Sequence, residues 1–190
     1  LAVYASTLAN RGTRYKATFL KRVVSDDYTA LLKQNEPVIA SEFEISDEAY
    51  TAYSEGMQMV AHEPDGTASD TFWREGYSIR VCAKTGTTSG NHDRWFIGYT
   101  EYYTAAVWCG YKYAEEVRLV GNGINPAGRL WYAVMEPLHR GVSYKDCYSD
   151  YSLNWVSVCK DSGGVATEAC EAYLADYNTS AKTREVSDNL

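Results

Sequence analysis

The 190-residue sequence has no apolar run of membrane-spanning length and no secretory leader pattern, so nothing in it reads as a bilayer segment. No block of lysine or arginine occurs, and a formal charge of −7 argues against a nucleic-acid partner. Metal-ligand spacing is also missing. The three histidines, His62, His92 and His139, are scattered, and the five cysteines form no Cys-x-x-Cys pair, so neither metal nor cofactor is expected. Five is an odd number, which leaves at least one cysteine unpaired within the chain. Cys159 and Cys170 flank Lys160-Asp161-Ser162-Gly163-Gly164, a turn signal, and a disulfide between them would close a small loop. There is no internal repeat. Leu1 already falls inside a helical pattern, which reads as a piece whose start lies upstream.

What is present is rich in aromatics, with 17 tyrosines and 5 tryptophans. Leu1, Tyr4, Ala5, Leu8 and Ala9 fall on one face of a helix that Gly12 ends. Phe19 to Val24 is a short extended piece. Ser46, followed by Asp47 and Glu48, caps a second helix whose apolar face runs through Tyr50, Tyr53, Met57, Val60 and Ala61. Gly56 inside that helix costs about 1 kcal/mol relative to alanine, so close packing is expected there. Glu63-Pro64-Asp65-Gly66 then turns the chain.

Three strand-like runs follow, 77 to 86, 94 to 99 and 103 to 111, with connections short enough for an antiparallel meander. Asn125 caps a last helix with Pro126 at its first position, an apolar stripe of Leu130, Trp131, Val134, Met135 and Leu138, and Gly141 beyond its end. Pro137 should distort its last turn. Trp155 to Cys159 is one more strand, and Trp95, Phe96, Trp108, Trp131 and Trp155 are expected in the core. The chain is polar from about Asp176 onward. The fold class is α+β: antiparallel strands flanked by helices. Residues 1–141 form the main unit, 142–175 a short cysteine-containing appendage, and 176–190 a frayed or disordered tail.

The chemistry concentrates at Lys84-Thr85-Gly86-Thr87-Thr88. Ile79, Val81 and Ala83 alternate with Arg80, Cys82 and Lys84, giving this run one apolar and one polar face. Gly86 lets another backbone approach, Lys84 supplies a cation, and the threonines supply hydroxyls and N–H groups. Such a strand suits an extended peptide with a carboxylate, held by strand addition. The plainer alternative makes Lys84 a solvated charge that guards a sheet edge. Strict alternation would also send Lys84 and Thr85 to opposite faces, so both reach one cleft only if the strand twists strongly near Gly86.

Taken in order, the segments resemble the C-terminal half of a penicillin-binding protein transpeptidase domain of the bifunctional, class A type. The resemblance is carried by Leu8-Ala9-Asn10-Arg11-Gly12, Gly56-Met57 through Gly66-Thr67-Ala68, and Ala83 to Thr88. It continues through Asp93-Arg94-Trp95-Phe96-Ile97-Gly98-Tyr99-Thr100 and Ala105-Ala106-Val107-Trp108-Cys109-Gly110-Tyr111. It implies serine acyl transfer on D-Ala-D-Ala stem peptides of peptidoglycan and acylation by β-lactams, outside the cytoplasmic membrane, with an anchor not in this chain. By the same resemblance Lys84 assists proton transfer and anchors a carboxylate, which Thr85 and Thr87 also bind. Thr87 N–H supplies half of an oxyanion hole, and Gly86 and Thr88 complete the binding strand.

The resemblance places Ser-x-x-Lys and Ser-x-Asn motifs upstream of Lys84, and neither occurs there. Look-alikes at Ser157, Ser89 and Ser152 lie downstream; Ser157 and Lys160 sit in a strand-like run, where residues three apart point to opposite faces. The chain is therefore expected to carry a substrate wall without the nucleophile, to need the missing part of its own polypeptide as partner, and to be inactive alone. Alternatives are a non-catalytic peptidoglycan-binding or β-lactam-sensing module, and a DD-carboxypeptidase or β-lactamase relative. The three histidines are expected at turns and helix ends, not in catalysis.

Overall fold

The computed structural model describes residues 1–72, 80–121, 123–143, 145, 155–159, 162, 164–168 and 184–187. Helix α1 (Ala2–Ala9) is followed by Gly12 at a left-handed φ of 95°. A Cβ there would lie 2.0 Å from the Phe43 carbonyl oxygen, so only glycine fits this turn. Two small antiparallel pairs come next: β1 (Arg14–Tyr15) with β4 (Ile39–Ser41), and β2 (Arg22–Val24) with β3 (Leu31–Gln34). Sequence indicated only the piece ending at Val24. Strands this short, exposed on both faces, carry no apolar alternation to read.

Helix α2 (Asp47–His62) starts at Ser46, whose hydroxyl accepts from Ala49 N at 3.2 Å. Its buried stripe is Tyr50, Thr51, Ser54, Gln58 and Ala61, while Tyr53, Met57 and Val60 are only half-buried. The face is turned from the expected one because it meets a polar group: Ser54 Oγ lies 3.2 Å from the Tyr99 hydroxyl. Gly56 is exposed, and a Cβ on it would meet nothing within 4 Å, so close packing does not explain it. A short α3 (Ser69–Phe72) follows.

The three central runs form β5 (Cys82–Thr87), β6 (Asp93–Tyr99) and β7 (Thr104–Gly110), an antiparallel meander in the order β5-β6-β7. Helix α4 (Pro126–Leu138), capped by Asn125 Oδ1 accepting from Ala127 N at 2.9 Å, packs on one face. Helix α1 packs on the sheet as well, and its Leu8 and Ala9 join Met57 against Cys82 and Tyr99 on the opposite face. The main core joins Ala61, Ala68, Phe72, Val81, Ala83, Phe96, Ala127, Trp131 and Met135. Trp131 is buried, 5.4 Å from the Phe96 ring and 5.6 Å from Phe72, and its Nε1 donates to Ala105 O at 3.2 Å. Leu130, Val134 and Leu138 from the expected stripe stay about half exposed, and so does Trp108. At the end of α4, i→i−3 bonds from His139 and Arg140 N–H to Glu136 and Pro137 carbonyls tighten the turn, as a late proline requires.

The β5–β6 turn is closed by side chains. Thr88 Oγ1 donates to Asp93 Oδ2 and accepts from Asp93 N, both at 2.9 Å, while Trp108 Nε1 donates to Asp93 Oδ1 at 2.7 Å. Gly90 and Asn91 take left-handed φ values of 70° and 58° to make the reversal. Beyond α4, β8 (Trp155–Val158) pairs with β9 (Arg184–Ser187), so part of the stretch expected to be frayed forms a strand. The expected run from 77 begins as a strand only at Cys82; residues 77–79 lie outside the described residues.

The disulfide expected between Cys159 and Cys170 involves a residue, Cys170, that lies outside the described residues. Backbone bonds close the turn after Cys159, Cys159 N to Gly164 O at 2.8 Å and Ala166 N to Ser157 O at 2.7 Å. Cys82, buried at the start of β5, is disulfide-bonded.

Two outcomes test this packing. Trp131→Ala should lower stability by about 3–5 kcal/mol in urea unfolding, the range for emptying a buried aromatic site; a loss under about 1 kcal/mol would mean that α4 does not depend on this ring. Hydrogen bonds from Trp108 and Thr88 hold the Asp93 carboxyl below its ordinary value of 3.8. Because the folded value is the lower one, the clasp contributes fully above pH 3.8 and is lost as pH falls through the depressed value. In an acid titration followed by NMR, the Trp108 indole N–H should keep its bonded position at pH values above 3.8 and move only below it. In Asp93→Asn that movement should vanish.

Candidate functional site

β5 is an edge strand, hydrogen-bonded on one side to β6 and on the other to no described strand. The register pairs Lys84 with Ile97, Thr85 with Phe96, Gly86 with Trp95 and Thr87 with Arg94. Thr88 N donates to Asp93 O at 3.3 Å, so Thr88 points its backbone groups at β6. Backbone direction alternates along a strand, so Gly86 and Lys84 also bond inward. Thr85 and Thr87 therefore direct their N–H and C=O groups to the open edge. That is the arrangement an added extended chain needs.

Paired residues share a face, so Lys84 and Gly86 lie with Ile97, Trp95 and Trp108, whereas Thr85 and Thr87 lie with Phe96 and Arg94. The opposition of Lys84 and Thr85 foreseen from alternation is real, and β5 keeps an unbroken register with β6 through Gly86. Lys84 is exposed, and its Nζ reaches over the strand to donate to Thr85 O at 2.7 Å. The cation thus covers an acceptor on the open edge. A Cβ on Gly86 would come 3.1 Å from Trp95 Cβ, so the glycine also makes room for the neighbouring tryptophan across the strands.

Each threonine hydroxyl is held. Thr85 Oγ1 lies 2.8 Å from Thr67 Oγ1, which joins β5 to the turn before α3. Thr87 Oγ1 accepts from Arg94 Nη1 at 3.2 Å. Arg94 Nε in turn donates to Val117 O at 3.3 Å, and Val117 N donates to Asn91 O at 2.9 Å, tying the 115–118 loop to the β5–β6 turn. Thr88 belongs to the Asp93 and Trp108 clasp. Thr67, Asp93 and Arg94 were quoted in the sequence motifs but given no role. Only the strand register reveals that Arg94 faces Thr87, since they are seven residues apart across a turn.

The histidines stand where expected. His62 ends α2 and its Nε2 accepts from Val81 N at 3.0 Å, just ahead of β5. His92 closes the β5–β6 turn, and buried His139 follows α4 with Nε2 2.8 Å from Thr100 Oγ1 and Nδ1 2.7 Å from Met135 O. Thr100 Oγ1 also accepts from Tyr102 and Tyr103 N–H, so its own proton points to His139 Nε2 and Nδ1 carries the imidazole proton. Burial raises the Tyr99 hydroxyl well above its ordinary value, which keeps it a neutral partner for Ser54. Burial also pushes the Cys109 thiol up. Among the described residues no cluster of histidine, cysteine or carboxylate groups could hold a metal ion, and no helix is long and apolar enough to cross a membrane. Of the serine look-alikes, Ser89 lies in the β5–β6 turn and Ser157 in β8; Ser152 lies outside the described residues.

Comparison with known proteins gives a consistent answer. The family model of the penicillin binding protein transpeptidase domain matches residues 1–136. Penicillin-binding protein 1A of Clostridium tetani is 26% identical over 173 residues, which are 90% of this chain and 21% of that protein. Penicillin-binding protein 1A of Clostridium botulinum is 31% identical over 159 residues, 84% of this chain and 18% of that one. The chain thus spans a small part of the relatives' length. The crystal structure of penicillin-binding protein 1A from Haemophilus influenzae superposes with a TM-score of 0.60 at 16% identity, covering 98% of this chain and 31% of that one, and supports the fold. With its Lys-Thr-Gly strand set at the edge of a helix-flanked antiparallel sheet, the chain belongs to the penicillin-binding protein transpeptidase family.

Proposed function

We propose that this chain is the substrate-binding half of a serine DD-transpeptidase that cross-links peptidoglycan and is acylated by β-lactams. The observation that carries the reading is the open edge of β5, where Thr85 and Thr87 direct their backbone groups outward beside an exposed Lys84. A D-Ala-D-Ala peptide would add along this edge as an extended chain, its carboxylate toward the Thr85 and Thr87 hydroxyls. Thr87 N–H would donate to the carbonyl oxygen as it gains negative charge, a contribution of about 3–4 kcal/mol for one well-placed donor.

In this reading a serine hydroxyl from the rest of the polypeptide attacks the scissile carbonyl, its proton passes to a base, and D-Ala leaves as the amine. The amino group of a second stem peptide then attacks the ester and releases the serine. Lys84 contributes positive charge at the carboxylate and to proton transfer; to do so its ammonium must leave Thr85 O, which frees that acceptor for the incoming peptide. The work would be done outside the cytoplasmic membrane by a polypeptide anchored elsewhere in its length. Residues 1–141 act as the transpeptidase part and 142–175 as an appendage to it.

Incubated with a fluorescent penicillin, the 190-residue chain alone should gain no penicilloyl mass, since no Ser-x-x-Lys precedes Lys84. One stoichiometric adduct would place a nucleophile inside this chain and overturn the division of labour. In the full-length polypeptide, acylation rate constants should fall in the order wild type, Lys84→Arg, Lys84→Ala. A hundredfold loss for Lys84→Ala corresponds to about 2.7 kcal/mol of transition-state stabilisation. A folded Lys84→Ala protein reacting at the wild-type rate would reduce Lys84 to a solvated edge charge.

A further inference from the structure

Thr87 and Arg94 face each other across the β5–β6 ladder, and their side chains meet. The guanidinium is tethered at one end, through Nε, to the Val117 carbonyl, and at the other to the Thr87 hydroxyl. A hydroxyl that accepts a hydrogen bond from a cation has its own proton left to donate, and the bond polarises that O–H. Thr87 is exposed, so its proton is available at the strand surface. The two bonds use two of the five N–H donors that a guanidinium carries, and the remaining ones meet no partner among the described residues.

We propose that Arg94 is a positioning residue for an anionic substrate terminus: it orients the Thr87 hydroxyl as a donor and adds positive charge behind it, so that this strand selects carboxylate-bearing peptides and β-lactams over neutral ones. This rests on the reading of β5 as the substrate strand and assigns part of its selectivity to a neighbouring strand. Lys84 does not orient this hydroxyl: its side chain lies on the other face of the sheet and its Nζ donates to the Thr85 carbonyl. The Val117 tether makes the effect directional: a guanidinium fixed at Nε presents its Nη groups toward Thr87, whereas a flexible ammonium would not hold that geometry.

The test uses the full-length polypeptide and two probes, a penicillin and the same penicillin as its neutral methyl ester. Arg94→Ala should lower the second-order acylation rate for the acid by about tenfold to a hundredfold, the range for one hydrogen bond to a charged group. The ester should change by less than about twofold. Arg94→Lys should recover part of the acid rate, and Arg94→Ala should cost nothing further in a Thr87→Val background, since the two act through one hydroxyl. Equal losses for acid and ester, with melting unchanged, would make Arg94 a structural residue and overturn the proposal, as would no loss for either. A wild-type polypeptide that reacts with neither probe would overturn the reading of the strand itself and this inference with it.

Discussion

The contact on which the rest of the structure depends is Phe96 against Trp131. Phe96 sits in the middle strand of the sheet and Trp131 in the middle of α4, with 5.4 Å between ring centroids. Helix and sheet approach this closely because glycines stand on both sides. A Cβ on Gly98 would come within 3.1 Å of Trp131, and one on Gly128 within 3.3 Å of Phe96. Phe72, from the short helix α3 that precedes β5 in sequence, stacks on Phe96 at 5.5 Å, so α3 rests on the same rings. Fixing Phe96 fixes β6, and β6 carries the register of β5.

That register gives the two faces of β5 different tasks. One carries Lys84, Gly86 and the two indoles of Trp95 and Trp108, 6.4 Å apart. The other carries Thr85 and Thr87 with their anchors, Thr67 and Arg94. A Lys-Thr-Gly strand is thus held on its side chains as well as its backbone. The fixing contacts come from three other segments: a turn before α3, the first residues of β6 and a loop near Val117.

Sequence revealed what periodicity and punctuation encode. The meander was legible in three apolar runs with short turns, α2 and α4 in Ser46 and Asn125 at their caps, and the motif strand in the order of its neighbours. What sequence did not reveal depends on contacts between distant residues. α2 buries Ser54 because a tyrosine hydroxyl waits opposite, which no hydrophobic pattern signals. Gly86 serves Trp95, a residue on another strand, and Gly56 serves no packing at all. β1 to β4 are too short and exposed for any period. Thr67 and Arg94 gain meaning only when the register puts them beside Thr85 and Thr87.

The strand between Lys84 and Thr87 is secured at both ends. Val81, Cys82 and Ala83 are fully buried at one end, and the Thr88, Asp93 and Trp108 clasp holds the other. Backbone freedom in the stretch between is therefore surrendered when the chain folds, at about 1–2 kcal/mol per residue, and not when a partner arrives. An incoming extended chain need order only itself. For this surface the entropic asymmetry lies with the ligand, so rigid ligands already shaped like a strand gain the most from it.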